Sequence, residues 1–132
     1  MDWATARAQF ERNRDLNSMT NVEILDYALA GENGRRLFCT PTGSNTDTGS
    51  LLPDYNPGNN TESTTIRACQ SDDALRELGV ATPAILKIDV EGAEREVLTA
   101  LGAFIHDHYP NVIMEFSDAT RRSFTDAEDL LS

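Results

Sequence analysis

The chain is poor in the residues that staple small folds or cage metals. Two cysteines, Cys39 and Cys69, are too few for a disulfide scaffold or a cysteine zinc site. The two histidines, His106 and His108, lack the spacing of a helical metal pair. Lysine occurs once, as Lys87, among 11 basic residues that face 22 acidic ones, a net charge of −11. So little positive charge excludes a nucleic-acid or anionic-membrane surface, because phosphate contacts need clustered Lys and Arg. No apolar run approaches the roughly 20 residues that span a bilayer. Residues 1–17 are amphipathic and carry neither the apolar stretch nor the cleavage site of a signal peptide. The expectation is a reduced, cytoplasmic protein. With 132 residues, 39% of them hydrophobic and 25% charged, the chain is long enough for one domain with one core.

The first half reads as a polar helix over Thr5–Leu16, with Ala6, Phe10, Asn13 and Leu16 toward a core, then a strand over Val22–Leu29. Two short strands, Arg36–Thr40 and Thr64–Cys69, flank a stretch at 43–63 rich in Gly, Ser, Thr, Asn and Pro. A structureless loop of that length is uncommon in a compact domain, so it is either a functional lid or a flexible insert. In the second half Ser71 can cap a helix over Asp72–Leu78 that Gly79 ends. The run Ile85-Leu86-Lys87-Ile88-Asp89-Val90 is nearly continuous in apolar residues, as in a strand covered on both faces. A helix over Ala93–His108 follows, with Val97, Leu98, Leu101, Phe104 and Ile105 on one face, and Val112–Phe116 gives another buried strand. Strand, helix and strand make one βαβ unit, which predicts the α/β class and a parallel sheet.

In an open parallel sheet, ligands bind beyond the carboxyl ends of the strands. That rule selects Asp89 and Glu91 at the end of one strand, Glu115 at the end of its neighbour, and Asp26 and Tyr27 near the end of an earlier strand. Three carboxylates on one rim would repel, raising one pKa. The alternative is that Glu91 and Glu94 only complement a helix N-terminus. Asp89 closes an apolar strand and needs a partner, which Lys87, two residues earlier on the same face, supplies either as a structural counter-ion or as a ligand contact. No nucleophile elbow and no phosphate-binding glycine loop is present.

The run Ile85-Leu86-Lys87-Ile88-Asp89-Val90-Glu91-Gly92-Ala93-Glu94, followed by Val97-Leu98, resembles the signature of the FkbM-family methyltransferases. The flanking order agrees, from Phe10–Asn17 through Asn21-Val22 and Tyr27-Ala28-Leu29 to Pro110–Glu115, with 43–63 unmatched. The segment Cys69–Asp73 departs from the Thr-Leu-Asp usual in the family. The resemblance implies a partial doubly wound, mostly parallel sheet of the Rossmann-like methyltransferase type, and S-adenosylmethionine as cofactor. It further implies O-methylation of a sugar or natural-product hydroxyl on a small-molecule or glycan acceptor. By it, Asp26, Tyr27 and Ala28 would lie against the adenosine, Asp89 would face the methionine moiety and the acceptor, and Glu91 and Glu115 would line the acceptor side. Asp89 would serve as the base or hold a divalent metal that acidifies the hydroxyl.

The family's opening strand with its glycine-rich turn, and its second strand, are not found in the sequence. The expectation is therefore the central part of a methyltransferase domain, truncated at both ends. Such a chain should bind cofactor weakly and self-associate through exposed sheet edges. The rival readings are a magnesium-dependent phosphate-handling α/β domain, which would need a Ser, Thr or Lys at another strand end, and a non-catalytic binding module.

Overall fold

A computed structural model describes residues 3–42, 49–53, 61–126 and 128–129. Helix α1 (Trp3–Leu16) precedes strands β1 (Ala28–Ala30), β2 (Gly34–Pro41) and β3 (Thr61–Gln70). Helix α2 (Ser71–Glu77), strand β4 (Ile85–Ile88), helices α3 (Glu94–Ala100) and α4 (Gly102–His108), strand β5 (Asn111–Met114) and helix α5 (Asp118–Ser123) complete the order. The class is α/β, and the helices and small sheets form a partial Rossmann-like arrangement. The strands divide into two sheets, β1-β3-β2 and β4-β5. β1 runs parallel to β3, with Ala28 opposite Ala68, β2 runs antiparallel to β3, and β4 runs parallel to β5, with Ile88 opposite Met114.

The β2–β3 pair is longer than the sequence pattern implies. β-Branched Thr61, Thr64, Thr65 and Ile66 favour extended backbone even where the strand is exposed, so the ladder reaches Thr61 opposite Pro41. Part of the anticipated insert at 43–63 is thus ordered. Thr61–Ser63 belong to β3, and Ser50 and Leu51 are buried, with Ser50 bridged to Cys39. The remaining stretches of that insert, 43–48 and 54–60, lie outside the described residues. Conversely, the strand expected over Val22–Leu29 contracts to Ala28–Ala30, and its carboxyl end stops where β3 gives way to α2 after Gln70.

Helix α2 starts with Gln70 as its cap, the side chain accepting from the Asp73 amide at 2.7 Å. Ser71, the cap expected from sequence, turns inward and donates to the Ala30 carbonyl at 3.0 Å, fixing β1 to the helix start. The helix expected over Ala93–His108 breaks at Leu101, whose backbone (φ −94°, ψ 3°) leaves the helical region. Leu101 is 1% exposed and shares one core with Ile88, Val97 and Phe104, against which Leu86, Leu98, Ile105 and Met114 pack. A second, smaller cluster joins Ala30, Leu51 and Ala68.

Two burial expectations are corrected. On α1, Ala6 and Phe10 are half-buried, but Asn13 and Leu16 are exposed. The β4–β5 sheet is covered on one face only. The pleat sends Leu86 and Ile88 to the core and leaves Ile85 at 61% and Ile113 at 54% exposed on the other side. Among the described residues, no helix is long and apolar enough to cross a membrane.

Candidate functional site

Asp89 lies one residue past β4 and Glu115 one residue past β5, and the Glu115 amide donates to the Ile88 carbonyl at 3.1 Å, extending the ladder. The two strands are adjacent and parallel, so their carboxyl ends finish side by side. Glu91 joins them from the turn that follows β4. One carboxylate oxygen from each of Asp89, Glu91 and Glu115 lies within 4.8 Å of the others. The structure thus brings together the three acids that the strand-end rule selects. A spacing this short is one that a divalent cation can bridge through oxygen ligands. The rim is open rather than buried. Asp89 retains 39% side-chain exposure, and its counter-charge is the still more accessible Lys87 ammonium, which donates to Asp89 Oδ2.

These neighbours split the acids electrostatically. The Lys87 ammonium, followed by the hydrogen bond shared with Glu115, holds the Asp89 carboxyl below its ordinary range. Glu115 moves the other way, raised first by the adjoining Asp89 and then by the charge of Glu91. Asp89 is therefore the acid that stays ionised and Glu115 the one that holds a proton more readily.

The turn that presents Glu91 is conformationally unusual. Glu91 has φ 51° and Gly92 φ 96°, both in the left-handed region. Ser50 Oγ donates to the Glu91 carbonyl at 2.6 Å. On the other side Glu94, which is 0% exposed, accepts from the Val90 and Gly92 amides with one carboxylate oxygen, at 3.2 and 3.1 Å. Glu94 therefore does more than complement a helix end. Its burial was invisible in a sequence where it reads as one of several acids in a first helical turn.

A cleft of about 410 Å³ opens next to the turn after β4, lined by Gly31 past β1, by Gly92 and Ala93, and by Glu96, Thr99 and Ala100 of α3; the three acids of the rim are not among its lining residues. Gly31 allows the close approach of α3, since a Cβ there would meet Glu96 Cγ at 3.1 Å. Asp26, Tyr27 and Ala28 do not join this cleft. Because β1 begins only at Ala28, all three stand at its amino end, not at the carboxyl end expected from sequence. Asp26 is paired with Arg7, and the Arg67 guanidinium lies over the Tyr27 ring at 5.3 Å from its centroid. Tyr27 lines a separate, polar pocket with Arg35, Arg67, Asp73 and Glu77. His106 and His108 close α4, and Cys39 and Cys69 are buried, unbridged packing residues.

Compared with known proteins, residues 9–132 match the family described as the methyltransferase FkbM domain. No curated protein and no solved structure matches the chain.

Proposed function

Because this chain belongs to the FkbM methyltransferase domain family, we propose that it serves methyl transfer from S-adenosylmethionine to a hydroxyl of a sugar or natural product. On this reading the Asp89–Glu91–Glu115 rim forms the acceptor side. The observation that carries the reading is the convergence of those three carboxylates past two adjacent parallel strands, beside a cleft in the size range of roughly 300–1,000 Å³ that small ligands occupy.

The residues present fit the methyl-and-acceptor end of such a cofactor. At Asp26 and Tyr27 a nucleoside would have to share the acid with Arg7 and the ring with Arg67. When bound, S-adenosylmethionine supplies a methyl group already activated by its sulfonium. What remains for the protein is orientation of the hydroxyl and removal of its proton. Glu115 is the better proton acceptor, since Asp89 and Glu91 hold its pKa above the ordinary carboxylate value. Asp89, kept ionised by Lys87, is suited to accept a hydrogen bond from a second acceptor hydroxyl and so to orient it.

The test is amide chemical-shift mapping with millimolar S-adenosylmethionine, followed by transfer of a labelled methyl group to a panel of glycans and polyhydroxylated small molecules, with and without Mg²⁺. Shifts at Gly31, Glu91, Gly92 and Ala93, with label on an acceptor oxygen, support the reading. An unchanged spectrum at these amides at millimolar cofactor refutes it.

A further inference from the structure

The two amides that flank Glu91 converge on a single oxygen of Glu94, so the turn is a small anion nest filled by the chain's own carboxylate. The other oxygen of Glu94 accepts from Thr120 Oγ1 at 2.8 Å, and Thr120, like Glu94, is 0% exposed. Thr120 has one hydroxyl proton. Since it goes to Glu94, the Ser117 hydroxyl must donate to Thr120 Oγ1, at 2.9 Å, while the Thr120 amide donates to Ser117 Oγ at 3.2 Å. The capping box of α5 and the turn beneath the acidic rim are thus two ends of one hydrogen-bonded chain with Glu94 at its centre. The next residue adds a second tether, as Arg95 donates to the Ser123 carbonyl and to Asp129 Oδ1.

We infer that Glu94 is a positioning residue that makes the shape of the acidic rim conditional on the docking of α5. A non-glycine residue stays in the left-handed region only while its surroundings hold it there. Glu91 is held by the Val90 and Gly92 amides on Glu94 and by the Ser50 hydroxyl on its carbonyl, and Glu94 is held by Thr120. When α5 lifts away, Glu94 loses the donor on its second oxygen and the nest loosens, so one of the supports that keep Glu91 in the group with Asp89 and Glu115 is weakened while the Ser50 hydroxyl stays in place. An acceptor that packs against α5 while entering the rim would therefore set its own site. This inference rests on the rim being the acceptor side, but its geometry is independent of the reaction.

The test is native-state amide hydrogen exchange on the whole chain as wild type, Thr120→Val and Thr120→Ser, with the Glu91 backbone coupling read alongside. Val keeps the shape of Thr and every carboxylate but removes the donor to Glu94, together with the acceptor of the Ser117 hydroxyl. The Val90 and Gly92 amides are expected to exchange about tenfold faster in Thr120→Val, the equivalent of one lost hydrogen bond. The Ile105 amide in α4 should keep its protection, and Ser should restore the turn. Should Thr120→Val fail to fold, Ser117→Ala, which removes only the capping hydroxyl, is expected to accelerate the same two amides by about threefold. Unchanged protection at Val90 and Gly92, or an acceleration shared equally by Ile105, overturns the inference. No methyl donor or acceptor enters the measurement, so a chain that fails to transfer methyl groups can still pass it, and the converse also holds.

Discussion

Arg36 on β2 grips Glu96 on α3 with both ends of its guanidinium, Nη1 to Oε1 at 2.8 Å and Nη2 to Oε2 at 3.3 Å. The Gly31 amide donates to the same Oε1 at 2.8 Å. This fork joins the three-stranded sheet to the helix that follows β4, and its acceptor Glu96 and Gly31 both line the cleft. Arg36→Ala should cost about 1–3 kcal/mol, the range for charge-assisted hydrogen bonds at partly buried sites. The Arg36 guanidinium holds the Glu96 carboxyl below its ordinary value. The stability it supplies is therefore present above the unfolded-state pKa and lost as pH falls through the folded-state one. Urea midpoints measured from pH 7 to pH 3 should drop less steeply in Arg36→Ala than in wild type. Parallel curves would show that the fork contributes nothing.

The rim predicts a shifted pH profile. Glu115 is raised by Asp89 and Glu91, so it protonates at a higher pH than an isolated glutamate and methyl transfer should fail early on acidification. Asp89→Asn removes the first of those causes, so the acid limb should move to lower pH even as the maximal rate falls. Carboxyl carbon NMR of Glu115 checks the same shift without turnover. The stability sign is opposite to that of Glu96. A raised carboxylate contributes stability below its unfolded pKa and loses it as pH rises through the folded one, so Glu115→Gln should not destabilise the fold at neutral pH.

Core truncation should be severe at the helix break. Phe104 and Leu101 are each 1% exposed and hold α3, α4 and β4 together. Phe104→Ala is expected to cost about 3–5 kcal/mol and Leu101→Ala about 2–5 kcal/mol. Against the roughly 5–15 kcal/mol of a typical domain, either change should leave a substantial unfolded fraction near 37 °C. Circular dichroism melts read the loss directly.

The outer face of β4–β5 predicts self-association. Ile85 and Ile113 are more than half exposed, and among the described residues the outer edge of β4 has no strand partner. Sedimentation velocity over a hundredfold concentration range should show growth of larger species. Ile113→Lys should suppress it by placing a charge on that face. A single species at every concentration in the wild type would contradict this.

The strength of the sequence lay where periodicity and strand-end logic suffice. Val97, Leu98, Leu101, Phe104 and Ile105 were legible as a core face because helical spacing alone puts them on one side, and all five are found in or against one core. Asp89, Glu91 and Glu115 were legible because parallel pairing brings the ends of adjacent strands together, whatever else surrounds them. Tyr27 shows the limit. Its place relative to a strand end depended on where pairing begins, and β1 joins β3 only from Ala28 onward, opposite Ala68.

What only the tertiary structure decided are the groups whose partners are remote in the chain. Glu94 meets Thr120 across 26 residues, Arg36 meets Glu96 across 60 and Ser50 meets Glu91 across 41. Local pattern fixes which face of an element is apolar and which end of a strand carries an acid. Burial of an individual polar side chain depends on what packs over it, and that is a property of the assembled elements. An acid in the first turn of a helix looks the same in sequence whether solvent or a threonine from a distant helix lies above it.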